Sequence, residues 1–133
     1  MDNTPNIFRV VLEVGDLAKA VEDYSVLLAL EGRMLRGSRA YFDCGPVILA
    51  LLDPAPGGRA PAPNAGDLYF SVANLEEVHQ RASKLGWLAE EDVHDESAGE
   101  IVIRPWGERS FYAKDTWGNG LCFVDAKTLY TGK

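Results

Sequence analysis

Phe8-Arg9-Val10-Val11-Leu12-Glu13-Val14-Gly15-Asp16-Leu17 returns 58 residues later as Gly66-Asp67-Leu68-Tyr69-Phe70-Ser71-Val72-Ala73-Asn74-Leu75. Each copy is an alternating strand that closes on Val-x-Asp/Asn-Leu, and Asp16 and Asn74 are both residue types that cap a helix N-terminus. The repeat places Arg9 over Asp67, Val11 over Tyr69 and Val14 over Val72. A duplicated module of this kind predicts a paired structure with a cleft between its halves, into which Arg9 and Asp67 project as equivalents.

In the first strand the pattern predicts that Phe8, Val10, Leu12 and Val14 face a core, while Arg9, Val11 and Glu13 face the other way. A helix follows to about Leu30, with Val21, Tyr24 and Leu28 on its apolar stripe and Gly32 as its terminator. Strands are expected near Arg33–Leu35, Ala40–Cys44 and Val47–Leu52, the last two joined by Gly45-Pro46. Residues 53–66 hold four prolines and three glycines, a composition that excludes a helix or inner strand and reads as an extended linker. Beyond it the second helix carries Leu75, Val78, Ala82 and Leu85 on one face and ends at Gly86. After an acidic stretch around 90–96, strands are expected near Glu100–Arg104, Ser110–Ala113 and Gly120–Asp125. The fold class is therefore α+β: two βαβββ modules, about 7–53 and 67–128, in one domain, their curved mixed sheet surrounding a central cleft.

Composition narrows the function. The 133 residues carry a net charge of −7, which argues against nucleic acid and anionic membranes as partners and suits a cationic small ligand. No apolar run approaches the roughly 18–20 residues of a membrane span. The polar N-terminus lacks a signal-peptide pattern, so a cytoplasmic location is expected. Cys44 and Cys122 form neither a disulfide framework nor a CxxC motif and read as buried thiols. No GxGxxG, Walker loop or GxSxG elbow is present. Ser110 and Cys122 have no strand-borne histidine to activate them. His79 and His94 read as surface residues.

Val14-Gly15-Asp16-Leu17, then Ala20-Val21, Tyr24-Ser25 and Leu27-Leu28, resemble the first module of the vicinal oxygen chelate superfamily. That superfamily includes glyoxalase I, bleomycin and fosfomycin resistance proteins and extradiol dioxygenases. The run Arg104-Pro105-Trp106-Gly107-Glu108-Arg109-Ser110-Phe111-Tyr112, followed by Asp115-Thr116-Trp117-Gly118-Asn119-Gly120, is similar to the family's closing pattern. The chain departs from it at Asp23, Ala29 and Thr116, where an aromatic, a glycine and a proline are common.

The resemblance implies four metal-ligand positions, which fall here on Arg9, about Ala50, Asp67 and Cys122. Arginine has no usable lone pair and alanine offers nothing, so no metal and no cofactor are expected. Arg9 and Asp67 are suited instead to pair with each other. A binding protein for a small molecule such as an antibiotic or metabolite is the leading expectation, with Arg9, Glu13, Tyr41, Asp67, Tyr69, Trp106, Arg109, Phe111 and Cys122 as ligand contacts. Two alternatives stand beside it. One is an enzyme, a lyase or isomerase more than a dioxygenase, with Glu13 or Asp67 as base or with a displaced metal site. The other is a binding module in a larger assembly. The resemblance also implies a homodimer.

Overall fold

The structure is a computed structural model and describes residues 2–93 and 95–133; His94 and its expected surface position lie outside the described residues. The chain divides into two compact units, 1–62 and 63–133, and the division falls within the proline- and glycine-rich stretch.

The first unit runs β1 (Arg9–Glu13), α1 (Leu17–Leu28), β2 (Arg33–Leu35), β3 (Arg39–Cys44) and β4 (Val47–Leu52), followed by a 3-10 turn at Ala55–Gly57. Its sheet has the order β1-β4-β3-β2, with β1 parallel to β4 and the other pairs antiparallel. Parallel pairing of β1 with β4 requires a crossover, which α1 and the β2–β3 hairpin supply. The Asp16 carboxylate accepts from the Lys19 N–H at the head of α1. Buried Leu12, Val14, Phe42, Leu49 and Leu51 pack with Tyr24 and Leu27 of α1.

Three details differ from the sequence reading. Phe8 is 60% exposed and lies just before the start of the strand, although its carbonyl still accepts from the Ile48 N–H at 2.8 Å. The buried stripe of α1 is Ala20, Asp23, Tyr24 and Leu27, with Val21 and Leu28 half-buried at its margins. The helix ends at Ala29, which takes the left-handed conformation (φ 52°) where glycine would be unstrained. Gly32 has another role: a Cβ there would lie 2.7 Å from the Phe42 ring.

The second unit runs β5 (Leu68–Val72), α2 (Leu75–Leu85), a short hairpin of β6 (Asp92–Val93) and β7 (Glu96–Ser97), then β8 (Val102–Ile103), β9 (Arg109–Lys114) and β10 (Gly120–Asp125). The sheet order is β5-β10-β9-β8, again with the first pair parallel. The hairpin β6–β7 is an addition to the expected βαβββ plan, and the strand expected at 100–104 shortens to two residues. Asn74 caps α2 through the Glu77 N–H, and Gly86 closes it with φ 74°. Leu75, Val78 and Ala82 are buried on one side of the sheet. On that side Phe70, Phe123 and Phe111 form a continuous stack, with ring centroids 4.8 and 5.3 Å apart. The opposite side carries a second cluster of Ala89, Ala98, Tyr112, Cys122 and Val124, onto which Val93 packs.

The turn between β9 and β10 explains why Asp115 and Asn119 are needed. Asp115 Oδ1 accepts from the backbone N–H groups of Trp117 (2.9 Å) and Asn119 (2.8 Å), while Oδ2 accepts from Asn119 Nδ2 at 2.8 Å. Two of the family departures are likewise accounted for. Thr116 supplies an Oγ1 acceptor to the indole N–H of buried Trp87 at 3.2 Å, which proline could not do. Buried Asp23 is paired with Lys19 one helical turn back.

Candidate ligand site

The two sheets share one register. In the first, Val11 lies beside Ala50 and Ala50 beside Tyr41; in the second, Tyr69 lies beside Cys122 and Cys122 beside Tyr112. Ala50 and Cys122 are therefore equivalent, and each sheet carries a tyrosine from its third strand on the face opposite its helix. These rows hold two of the four positions at which the resembling family would place metal ligands, Ala50 and Cys122; Arg9 lies one row away beside Ile48, and Asp67 just before β5. The residues present do not fit a metal. Ala50 has no donor atom, and the guanidinium of Arg9 has no lone pair to give. Burial pushes the Cys122 thiol up to about 12, and one buried thiol falls short of the three or four protein ligands that such a metal takes. Within each unit, among the described residues, no three His, Cys, Asp or Glu side chains group together.

In the first unit Arg9 is exposed and donates from Nη1 to the Tyr41 hydroxyl at 3.0 Å. Its guanidinium carbon lies 4.9 Å from the Phe8 ring centroid and 5.7 Å from that of Tyr41. Glu13 is committed elsewhere. Its carboxylate takes a two-pronged pair from Arg59 at 3.1 and 2.6 Å and the Ala62 N–H at 2.9 Å. The Arg59 hydrogen bonds, then that of Ala62, hold it at about 2. A carboxylate so weakly basic is a poor proton acceptor at neutral pH. Glu13 therefore anchors the 59–62 stretch.

In the second unit Asp67 is exposed at the entry to β5, and its Oδ1 lies where a Cβ on Gly120 would stand, 2.2 Å away. Tyr69 is 56% exposed and hydrogen-bonded to Tyr112; burial raises both phenols above their ordinary value. A cavity of about 370 Å³ opens here, walled by Tyr69, Trp106, Glu108, Val124, Leu129 and Tyr130. Glu108 organises it: Oε1 accepts from the Trp106 indole at 2.8 Å and Oε2 from the Tyr130 backbone N–H at 2.9 Å. One carboxylate thus fixes both the indole and the C-terminal segment.

Of the contacts expected from sequence in the second unit, Tyr69 and Trp106 come together at this cavity, whereas Asp67, Arg109, Phe111 and Cys122 do not line it. Phe111 is fully buried on the helix side of its sheet, with its ring edge-on to His79 at 4.9 Å. Arg109 is bound to Glu76 and, at 3.2 Å, to Asp125, which ties β9 to α2 and β10. Cys122 is 1% exposed beneath Tyr112 and Val124. His79 is not a surface residue either: it is half-buried, with Nε2 2.8 Å from the Gly99 carbonyl.

Sequence reading did not mark Glu108, Leu129 and Tyr130 as cavity residues, and it placed Arg104 in the closing pattern without its buried role. The Arg104 side chain is fully buried, lies 5.1 Å from the Tyr112 ring centroid and donates to Ser110 Oγ and to the carbonyls of Ser97, Ala98, Glu100 and Ser110. The signal for Glu108 was its place two residues after Trp106. Nothing in the sequence distinguished Arg104 from an exposed arginine.

No model of a protein family and no curated protein matches the chain. Solved structures do. The chain is similar to lactoylglutathione lyase from Agrobacterium tumefaciens, at 26% identity over 93% of this chain and 96% of that one, with a TM-score of 0.67. It is also similar to a glyoxalase/bleomycin resistance protein from Albidiferax ferrireducens T118 (19% identity, 90% and 98% covered, TM-score 0.73). A third is a glyoxalase/bleomycin resistance protein/dioxygenase superfamily member from Sphaerobacter thermophilus (19%, 92% and 98%, TM-score 0.69). The chain has the vicinal oxygen chelate fold of that superfamily. No helix among the described residues is long and apolar enough to cross a membrane.

Proposed function

We propose that this chain, built on the vicinal oxygen chelate fold, binds a small planar organic molecule without a metal and holds it rather than transforming it. The observation that carries this reading is the cavity walled by Tyr69, Trp106 and Tyr130. Its volume of about 370 Å³ lies within the range of small-molecule sites, and flat rings around a few fixed polar groups favour stacking. Glu108 adds a carboxylate to the wall, which together with the net charge of −7 favours a cationic aromatic ligand such as an antibiotic or metabolite. The groups beside the cavity support holding over turnover: burial raises the Cys122 thiol and the Tyr112 phenol above their ordinary values. We also keep the homodimer as part of this reading, on the exposed apolar side chains of Ile7, Met34 and Ile103.

A titration with planar aromatic cations such as acridine orange or bleomycin, followed by tryptophan fluorescence, tests the reading. Saturable quenching is expected, weakened at least about tenfold in Trp106→Ala, in line with the loss of a stacking aromatic at a binding hot spot. Equal binding by wild type and Trp106→Ala would reject this cavity as the site. A second reading, a lyase or isomerase, is favoured by the likeness to lactoylglutathione lyase. It would rest on Asp67 as the base, and turnover of a bound compound that is lost in Asp67→Asn would establish it.

A further inference from the structure

We propose that Arg9 and Tyr41 form an oxyanion-binding site on the open face of the first sheet, suited to a carboxylate or phosphate carried on a small apolar body. The charge balance of this face is the starting point. Asp43 is engaged by Arg33 through a two-pronged pair at 2.5 and 3.1 Å, and Glu13 by Arg59. Arg9 stands in the cross-strand row Arg9–Ile48–Asp43, and its hydrogen-bonding partner is a neutral phenol. Among the described residues of its own unit, Arg9 has no carboxylate at ion-pairing distance. Within that unit its positive charge has no carboxylate partner, in a protein whose net charge is −7.

The guanidinium is also held in place. Phe8 and Tyr41 lie 4.9 and 5.7 Å from its carbon, close enough for cation–π attraction to restrict the side chain before a ligand arrives. Among the described residues of its unit, one N–H is used, by the Tyr41 oxygen. The remaining N–H groups keep the planar fork that matches two oxygens of a carboxylate or phosphate. Because Tyr41 accepts from Arg9, its own hydroxyl hydrogen is free to donate to the same anion. Two kinds of donor thus converge on one point. Phe8 and Val11, 60% and 44% exposed, give the site an apolar shoulder, and that selects an anion with an apolar body over a bare ion.

Arginine side-chain NMR on the full chain tests this, with sodium phenylacetate and phenyl phosphate as probes and phenylacetamide as the neutral control. The expected result is a saturable shift of the Arg9 Nε–H resonance with at least one anion, and none with the amide. Arg36, another exposed arginine, serves as the internal reference and stays unmoved. Tyr41→Phe should weaken binding about tenfold through loss of a hydrogen bond to a charged group, and Arg9→Gln should abolish it with an unchanged melting temperature. Which anion binds more tightly distinguishes a carboxylate site from a phosphate site. Equal, non-saturating shifts at Arg9 and Arg36 would reduce the effect to general ionic attraction and overturn the proposal, as would equal binding of the amide or no shift at all.

Discussion

Replacing Arg104 with methionine is expected to destabilise the protein by about 4 kcal/mol, as measured by urea unfolding, because it removes a buried charged donor from four carbonyls and a hydroxyl. Methionine is of similar length and fills much of the same space, so the effect isolates the lost hydrogen bonds from a packing defect. The guanidinium serves acceptors on three separate segments: the Ser97 and Ala98 carbonyls at the end of the β6–β7 hairpin, the Glu100 carbonyl beyond it, and Ser110 on β9. Glu96 Oε2, 4.0 Å from Nη1, is a charge partner without a hydrogen bond; removing Arg104 would leave that buried oxygen without its neighbouring cation. Arg104→Lys should recover only part of the loss, since one ammonium cannot reach acceptors spread around a planar fork. A loss below about 1 kcal/mol for the methionine variant would mean that these carbonyls find water instead.

Asp115→Ala should cost about 3 kcal/mol, since one carboxylate satisfies three N–H groups and two of these belong to Asn119, which is fully buried. The damage spreads further. Asn119 Oδ1 accepts from the Asn64 N–H at 3.0 Å, and the Asn64 side chain bonds both the carbonyl and the N–H of Gly120. Loss of Asp115 therefore loosens both the β9–β10 turn and the chain entering β5. Hydrogen exchange provides the check: the amides of Trp117, Asn119 and Gly120 should lose protection together, while those of α2 keep theirs. Retained protection at Asn119 would show that the turn holds without the carboxylate.

Much of this fold was legible because its signals are local. The offset between Asp16 and Asn74 gave both helix starts, and both residues do accept from the third residue of their helix. Strand alternation gave the two faces of each sheet, and the shared register supports the equivalence of Ala50 and Cys122. Where the reading failed, tertiary packing overrode a local rule. Gly32 looked like a helix terminator, but the space it leaves is taken by the Phe42 ring, and Ala29 adopts the positive φ instead.

The site was less legible, for a different reason. Whether a polar side chain faces a ligand or its own backbone depends on partners far away in sequence. Glu13 finds Arg59 46 residues on, while Arg109 finds Glu76 33 residues back. Both were read as contacts for a ligand, and both are held by the protein itself. Phe111 was misplaced because its neighbour Tyr112 is also aromatic, so alternation alone did not tell which ring faces α2. The C-terminal wall of the cavity, Leu129 and Tyr130, carried no periodic pattern at all. It is set by a hydrogen bond from the Tyr130 backbone to Glu108.

The central claim is that this copy of the fold works without a metal, and equilibrium dialysis against Ni, Zn, Mn and Fe(II), followed by metal analysis and thermal unfolding, tests it most directly. The residues at the family's ligand positions, Arg9 and Ala50 in the first unit and Asp67 and buried Cys122 in the second, predict no stoichiometric metal and no rise in melting temperature. A functional site saturated at a thousand times its dissociation constant would instead stabilise the protein by about 4 kcal/mol. One tightly held metal per chain, with that stabilisation, would contradict the account.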